Sequence, residues 1–387
     1  MKRKKINEFK FIRNILIGIV SLLIVAFIIN VAPGYKRDKY KDLINLIVNE
    51  ENITEELKHE IYVNDNGTIY ISEEDVRNLF DHTIYYDERY NQIITTSDTK
   101  VANIAVDEKQ MTVNNSNVSM LDSIIRIDNY IYLPISDMAI VYNIKISYIK
   151  DTNRVVIDKL NTGMIKATAT DESKIKFKPR SLSKNVGTLK QGEVVSCFYT
   201  TSKGWRQIRK DDGTVGYVKA NKLGNEYIVR QDMEERGEAL YISKNDYERK
   251  TFKIINDLGT KNVIVKDVFN INNNEDVQII GETDGEEIDN KIWIAISNKS
   301  LESQSKEIIK DYKLRTNLID LIVKRSIENN VNGVSIEFTE IEDKESMKRF
   351  VIECAPKLRE AGISTCIVLN ENIEKQDYIN LVDYIVE

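Results

Sequence analysis

The spacing of apolar and polar positions changes several times along the chain, and each change marks a segment. Residues 14–35 carry no formal charge, and Ile15 to Ile29 form an almost unbroken apolar block. A helix needs about 20 apolar residues to cross a bilayer, so the pattern predicts one transmembrane helix over 14–35. A juxtamembrane helical segment is expected over 36–61. From residue 62 the chain reads as short strands, and it repeats itself. Ile69-Tyr70-Ile71-Ser72 and Ile131-Tyr132-Leu133-Pro134 each open a unit, 62 residues apart. Each continues through a helix-like stretch (73–80 and 135–142) into a hairpin, the first built on Thr83–Tyr86 and Asn91–Ile94, the second on Lys145–Tyr148 and Asn153–Val156. A unit this small cannot bury its apolar face alone, and pairing two of them solves that. The duplicated α+β stalk domain is therefore placed at 62–160.

Residues 164–224 carry turn signals at Gly192, Gly204 and Gly213. The strand candidates between them are Glu193–Tyr199, Trp205–Arg209 and Val215–Lys219, spaced for consecutive hairpins. This predicts a small all-β barrel. From 228 to 387 strands alternate with helical patterns, which indicates βα units and a parallel sheet. The strands are expected at 239–243, 262–269, 292–297, 333–339, 363–369 and 382–386. In the clearest helix Met347, Phe350, Val351, Cys354 and Leu358 recur on one face. Gly362 stops it and Pro356 is expected to kink it. A closed (β/α)8 barrel needs eight strands in about 250 residues, so six strands ending at Glu387 predict an incomplete one.

Charge settles orientation. Lys2, Arg3, Lys4, Lys5, Lys10 and Arg13 precede the apolar block against the single acid Glu8. The positive-inside bias puts residues 1–13 in the cytoplasm and the domains after residue 35 outside the plasma membrane. A cleaved signal peptide is the alternative; an uncharged run longer than 7–15 residues with no clean small-residue cleavage site argues against it. The net charge of −6 over 387 residues gives no reason to propose nucleic acid as a partner. Three cysteines (Cys197, Cys354, Cys366) are too few and too scattered for a disulfide framework. Two histidines, His59 and His82, leave little for a metal site or a Ser-His-Asp triad. No cofactor and no metal are expected. Cys354 and Cys366 fall on apolar positions and read as core.

Three resemblances add to this. The duplicated segment resembles the stalk-like domain named after the N-terminal region of copper amine oxidase. It has no copper-binding set, since His82 reads as a turn residue, and the resemblance implies a spacer with a possible protein partner. Gly187-Thr188-Leu189-Lys190-Gln191-Gly192, Gly204-Trp205 and Gly216-Tyr217-Val218 resemble a bacterial Src-homology-3-like domain. That family docks on cell-wall peptides or acts as a spacer, which makes Trp205 and Tyr217 candidate binding residues. The loop Lys176-Phe177-Lys178-Pro179-Arg180 departs from the family's arginine-serine-glycine-proline sequence.

Asn332-Gly333-Val334-Ser335-Ile336-Glu337-Phe338-Thr339 resembles the signature of family 18 glycoside hydrolases, in the spore-cortex and cell-wall branch. Supporting pieces run from Ile292 to Asn298 and from Cys354 to Gly362, and Trp293 and Asn298 are taken as candidate binding residues. The family's chemistry is substrate-assisted, with a glutamic acid protonating the leaving oxygen and two aspartates on the same strand face orienting the acetamide. Here those positions are Ser335, Glu337 and Thr339, and Thr339 stands where the acid should be. Glu337 lies about 6.6 Å back along the strand. Glu337 and Glu340 are the remaining catalytic candidates. The leading expectation is an anchored envelope protein that binds peptidoglycan or a related N-acetylglucosamine glycan without turnover. The alternatives are an active family 18 glycoside hydrolase and a purely structural spacer.

Overall fold

The computed structural model describes residues 2–30, 43–230, 237–256, 259–271, 277–280, 290–299, 305–339 and 343–387. The chain forms two compact units, each discontinuous in sequence: 1–76 with 124–234, and 77–123 with 235–387.

The first unit begins with a helix, Lys2–Asn30, whose large apolar side chains are exposed from Ile15 to Ile28. Leu16, Leu22 and Phe27 are 57%, 71% and 59% exposed. Among the described residues no helix is long and apolar enough to cross a membrane. Side-chain surroundings in this helix are described only from Arg13 to Ile28, and residues 31–35 of the expected span lie outside the described residues.

The expected helical segment at 36–61 is corrected where it is described. Asn45–Val48 is a strand, Glu51–Asn52 another, and Thr54–Glu56 a single 3-10 turn. Leu46 and Ile47 are fully buried. Asn45 to Val48 pair in parallel with Arg154 to Ile157, and Asn49, at φ +49°, ends the run. Four apolar-rich residues between Asn45 and Asn49 are too few for a helix but enough to complete a sheet.

The duplication is visible in the pairing. Ile69–Ser72 and Tyr130–Pro134, the openings of the two repeats, lie antiparallel in one sheet, with Tyr132 opposite Ser72 and Pro134 opposite Tyr70. Helices Glu73–Leu79 and Ala139–Tyr142 follow them. The second hairpin pairs Ile144–Ile149 with Arg154–Lys159 and turns through Asn153 in the left-handed region at φ +51°. The first hairpin pairs Tyr85–Asp87 with Gln92–Thr96 through Asn91 at φ +48°, the position equivalent to Asn153.

The β-barrel segment carries seven strands, from Met164–Ala169 to Leu223–Arg230, around Ala167, Ile175, Leu189, Val195, Cys197, Ile208 and Val218. It is fastened to the second repeat. Arg209, 5% exposed, pairs with Asp158 at 2.6 Å, and Arg154 donates to the Asp212 carbonyl and to Thr214 Oγ1, both at 2.8 Å.

In the second unit a five-stranded meander, Tyr85 to Ser119, accompanies the C-terminal α/β domain. That domain contains β1 (Leu240–Ile242), α1 (Lys244–Glu248), β2 (Thr251–Asn256), β3 (Gly259–Ile271) and β4 (Val277–Ile280). It continues with β5 (Asn290–Ser297), α2 (Ser305–Lys310), α3 (Tyr312–Glu328), β6 (Gly333–Glu337) and α4 (Lys344–Glu360). It closes with β7 (Ser364–Val368), α5 (Lys375–Tyr378) and β8 (Tyr384–Val386). The sheet order is β1-β8-β7-β6-β5-β3-β2, with β4 paired to β3.

The wholly parallel sheet expected from the sequence is corrected to a mixed one. β2 and β3 form an antiparallel hairpin, with Asn256 opposite Gly259, because a parallel crossover needs a dozen or more residues between strands. β4 is also antiparallel to β3, and β1 joins β8 in parallel. Ile242 of β1, Phe252 of β2, Val263 of β3, Trp293 of β5, Cys366 of β7 and Val386 of β8 share one interior cluster. Both edges of the sheet thus contribute to the same core, and the result is a nearly closed barrel. A second cluster, including Val334, Ile336, Phe338 and the apolar face of α4, fills the space between the sheet and its helices. Cys354 belongs to it, and burial pushes its thiol up to about 12. α4 runs through Pro356 without an interruption.

Candidate functional site

Strand alternation decides what β6 offers. Val334, Ile336 and Phe338 face the helices, so Gly333, Ser335 and Glu337 face the barrel interior. Gly333 is required there, since a Cβ on it would collide with the Trp293 ring. Ser335 is fully buried. Glu337, at the C-terminal end of the strand, is partly exposed, with 23% of its side chain open. The ends of parallel strands are where such folds place their sites.

The partner of both residues is Tyr247, on the short helix α1, whose N-cap is the Ser243 hydroxyl accepting from the Asp246 amide at 3.2 Å. The Tyr247 hydroxyl is hydrogen-bonded to Ser335 Oγ at 2.6 Å and donates to the Glu337 carboxylate. A phenol has one proton, so Ser335 returns a proton to Tyr247. Burial first, and the Glu337 charge second, push the Tyr247 hydroxyl well above the usual tyrosine range. It stays protonated at every physiological pH. Lys250, held in the left-handed region at φ +58°, brings its ammonium to 3.5 Å from Glu337 Oε1 and 5.0 Å from the Tyr247 ring centre. The described cluster is thus a carboxylate, an ammonium, a phenol and a hydroxyl at one end of the barrel.

Thr339 lies just beyond. Its amide donates to Asn298 Oδ1 at 2.8 Å and its carbonyl accepts from Asn298 Nδ2 at 2.7 Å. Asn370 similarly fastens the Phe338 carbonyl at 2.7 Å. Two asparagines from the neighbouring strand ends therefore fix where β6 exits. The Asn298 amide, 4% exposed, is used for that fixing. Trp293 belongs to the interior cluster of the barrel. It is fully buried, edge-on to Phe252 at 5.4 Å and Tyr384 at 5.2 Å, and offers no face to a ligand. Among the described residues its indole Nε1 has no hydrogen-bond partner.

Of the catalytic candidates, Glu337 sits in the cluster and Glu340 lies outside the described residues. Thr339 Oγ1 is 3.4 Å from Asn298 Oδ1, and a threonine hydroxyl does not serve as the proton donor. A carboxylate at Glu337 can accept hydrogen bonds from sugar hydroxyls or an amide, and Lys250 and Tyr247 hold it in place. Tyr247, Lys250 and Asn370 were not legible in the sequence, because each reaches its partner across tens of residues. Only the turn at Lys250 carries a local signal, and it is faint.

In the β-barrel Trp205 is 6% exposed with Lys219 Nζ 4.6 Å above its ring, a core position. Tyr217 is half-buried and lines a cleft of about 520 Å³ together with Phe177, Lys178 and the carboxylates of Glu50, Glu51, Glu55 and Glu56. The two candidate binding residues of this domain are thus separated by burial. Among the described residues no group of three or more His, Cys, Asp or Glu side chains is placed to hold a metal ion.

Comparison with known proteins places part of the chain. Residues 47–157 match the copper amine oxidase N-terminal domain. The match starts within the strand Asn45–Val48, which the sequence reading had left outside the domain. No curated protein matches the chain in sequence. Among solved structures, a Bacillus subtilis protein described as a sporulation-specific glycosylase is 17% identical, with 35% of this chain and 53% of that chain covered and a TM-score of 0.26. The spore cortex-lytic enzyme SleL of Bacillus megaterium is 13% identical over 45% of this chain and 46% of its own, with a TM-score of 0.28. A group IV chitinase of Ostrinia furnacalis is 19% identical over 25% and 31%, with a TM-score of 0.22. The chain spans about half or less of the length of these structures. It carries a copper amine oxidase N-terminal domain and, over part of its length, a distant structural similarity to chitinases and spore cortex-lytic enzymes.

Proposed function

We propose that this chain is a membrane-anchored envelope protein that holds a glycan of the N-acetylglucosamine type, peptidoglycan above all, without cleaving it. The observation that carries the reading is the end of β6. A threonine occupies the position of the expected acid, its backbone pinned on both sides by Asn298. The nearest described carboxylate on that strand face, Glu337, is committed to Tyr247 and Lys250. Loss of a general acid costs typically 10²–10⁴-fold in rate. What remains is a fixed set of donors and acceptors suited to binding. The exposed apolar side chains from Ile15 to Ile28, with the basic residues of 1–13 before them in the chain, support insertion of this helix in a membrane with the other domains outside. The β-barrel and the duplicated domain then stand as spacers or docking modules.

The test is sedimentation of the full chain, in detergent micelles, with insoluble peptidoglycan and with chitin. The expected result is saturable retention on peptidoglycan that Glu337→Gln and Lys250→Gln weaken. No retention on either polymer would defeat the reading.

A further inference from the structure

A cleft of about 580 Å³ in the second unit lies between the meander's edge and the exposed side of α4. Its floor is apolar, made by Ile84, Ile352, Pro356 and Leu381, and its rim is charged. Most of that charge is already matched. Asp81, 5% exposed, is turned inward to the hydroxyl of Thr95 at 2.7 Å and the amides of Thr83 at 2.8 Å and Thr96 at 2.6 Å. Asp98 is taken by Arg359 and Asp377 by Lys348, each at 3.0 Å. Glu345, Arg77 and Arg349 also line the cleft.

Among the described residues Arg349 makes no ion pair within 4 Å. Among the described residues its contact is the ring of Tyr85, with Cζ 3.5 Å from the ring centre. That ring cannot swing away. Its hydroxyl donates to Glu353 Oε1 at 3.0 Å and accepts from Arg315 Nη2 at 2.7 Å, inside a buried ion pair. A guanidinium stacked on an immobilised ring keeps its planar edge free and pre-oriented, the geometry that receives a carboxylate in a two-pronged hydrogen bond. A cleft with an apolar floor and such a fork suits a short chain ending in a carboxylate.

We propose that this cleft binds a short peptide through its free carboxylate, with Arg349 as the fork, the natural source being the peptide stems of cell-wall glycan. The identity of that source rests on the wall-binding reading, while the carboxylate chemistry does not. The site is separate from Glu337, so the chain would hold a wall strand by its sugars at one place and by its peptide at another.

The experiment is titration calorimetry of the full chain with N-acetylmuramyl dipeptide and with its methyl ester, which lacks the carboxylate. The acid is expected to bind at least about tenfold more tightly than the ester, and Arg349→Gln should erase that difference. Lys348→Gln, whose charge is already matched, should leave it intact. Equal affinity of acid and ester for the unaltered chain overturns the proposal, even if Arg349→Gln proves unstable. Retention on peptidoglycan with no acid preference would leave the wall-binding reading standing and remove this cleft. Acid preference without retention would do the reverse.

Discussion

Replacing Glu353 with alanine strikes the part of the second unit on which the most structure depends. Glu353 and Arg315 are each 2% exposed. Their contact is two-pronged, Nε to Oε2 at 3.0 Å and Nη2 to Oε1 at 2.8 Å. The remaining guanidinium hydrogens go to the carbonyls of Ile309 and Lys310 at 2.9 and 3.1 Å, and to Tyr85. Burial and then the Glu353 charge push the Tyr85 hydroxyl above its ordinary range, so it remains a donor to the carboxylate. Removing the carboxylate strands Arg315 as a buried charge, which costs about 3–5 kcal/mol. With a urea dependence of about 2–3 kcal/mol/M, the midpoint should fall by about 1–2 M. The chain has two tryptophans, and in a Trp205→Phe background the fluorescence of Trp293 reports the second unit alone. Arg315→Met combined with Glu353→Leu should recover most of the loss, because no charge is then left buried. A loss under about 1 kcal/mol for Glu353→Ala, or a double variant worse than the single one, would refute this account of how the meander and the helices are joined.

Two other perturbations of the second unit have defined outcomes. Gly333→Ala should destabilise the second unit by about 1–3 kcal/mol through overpacking against the Trp293 ring, and Trp293→Phe should restore part of it; urea midpoints with a circular-dichroism signal measure both. Asp311 caps α3 through the Leu314 amide at 3.1 Å and also takes Tyr90 and Arg89. Burial works to raise its carboxyl, but those donors hold it below the usual value. A depressed carboxyl contributes stability above its unfolded value near 3.8, and that contribution is lost as pH falls through the lower folded value. Asp311→Asn should therefore lower the urea midpoint at pH 5–7 and converge with the unaltered chain toward pH 3.

Legibility in the sequence followed the range of the interactions. The two hairpins of the repeat were visible because Asn91 and Asn153, each in the left-handed region, sit at matching places between strand formers. The apolar face of α4 was visible because it repeats every three or four residues, and all five of its predicted positions are buried. The strand Asn45–Val48 was not, since its reason for being a strand is a parallel partner more than 100 residues away. The sharing of the duplicated domain between two units was equally hidden, because Tyr85 and Tyr90 look like ordinary strand residues until Glu353 and Asp311 arrive beside them. At the candidate site the strand face Ser335–Glu337–Thr339 was readable by alternation alone. The burial of Trp293 and the clamp made by Asn298 were not readable, because aromatic and amide residues at strand ends serve cores and clamps as readily as ligands.

The central claim is that the end of β6 binds without cleaving. The direct measurement is release of reducing sugars from spore-cortex peptidoglycan and chitin by the full chain, compared with Glu337→Gln and Glu340→Gln. The account predicts no release above the protein-free blank by any of the three. Release by the unaltered chain that either substitution abolishes would contradict it and show that a carboxylate reaches the bond Thr339 cannot serve.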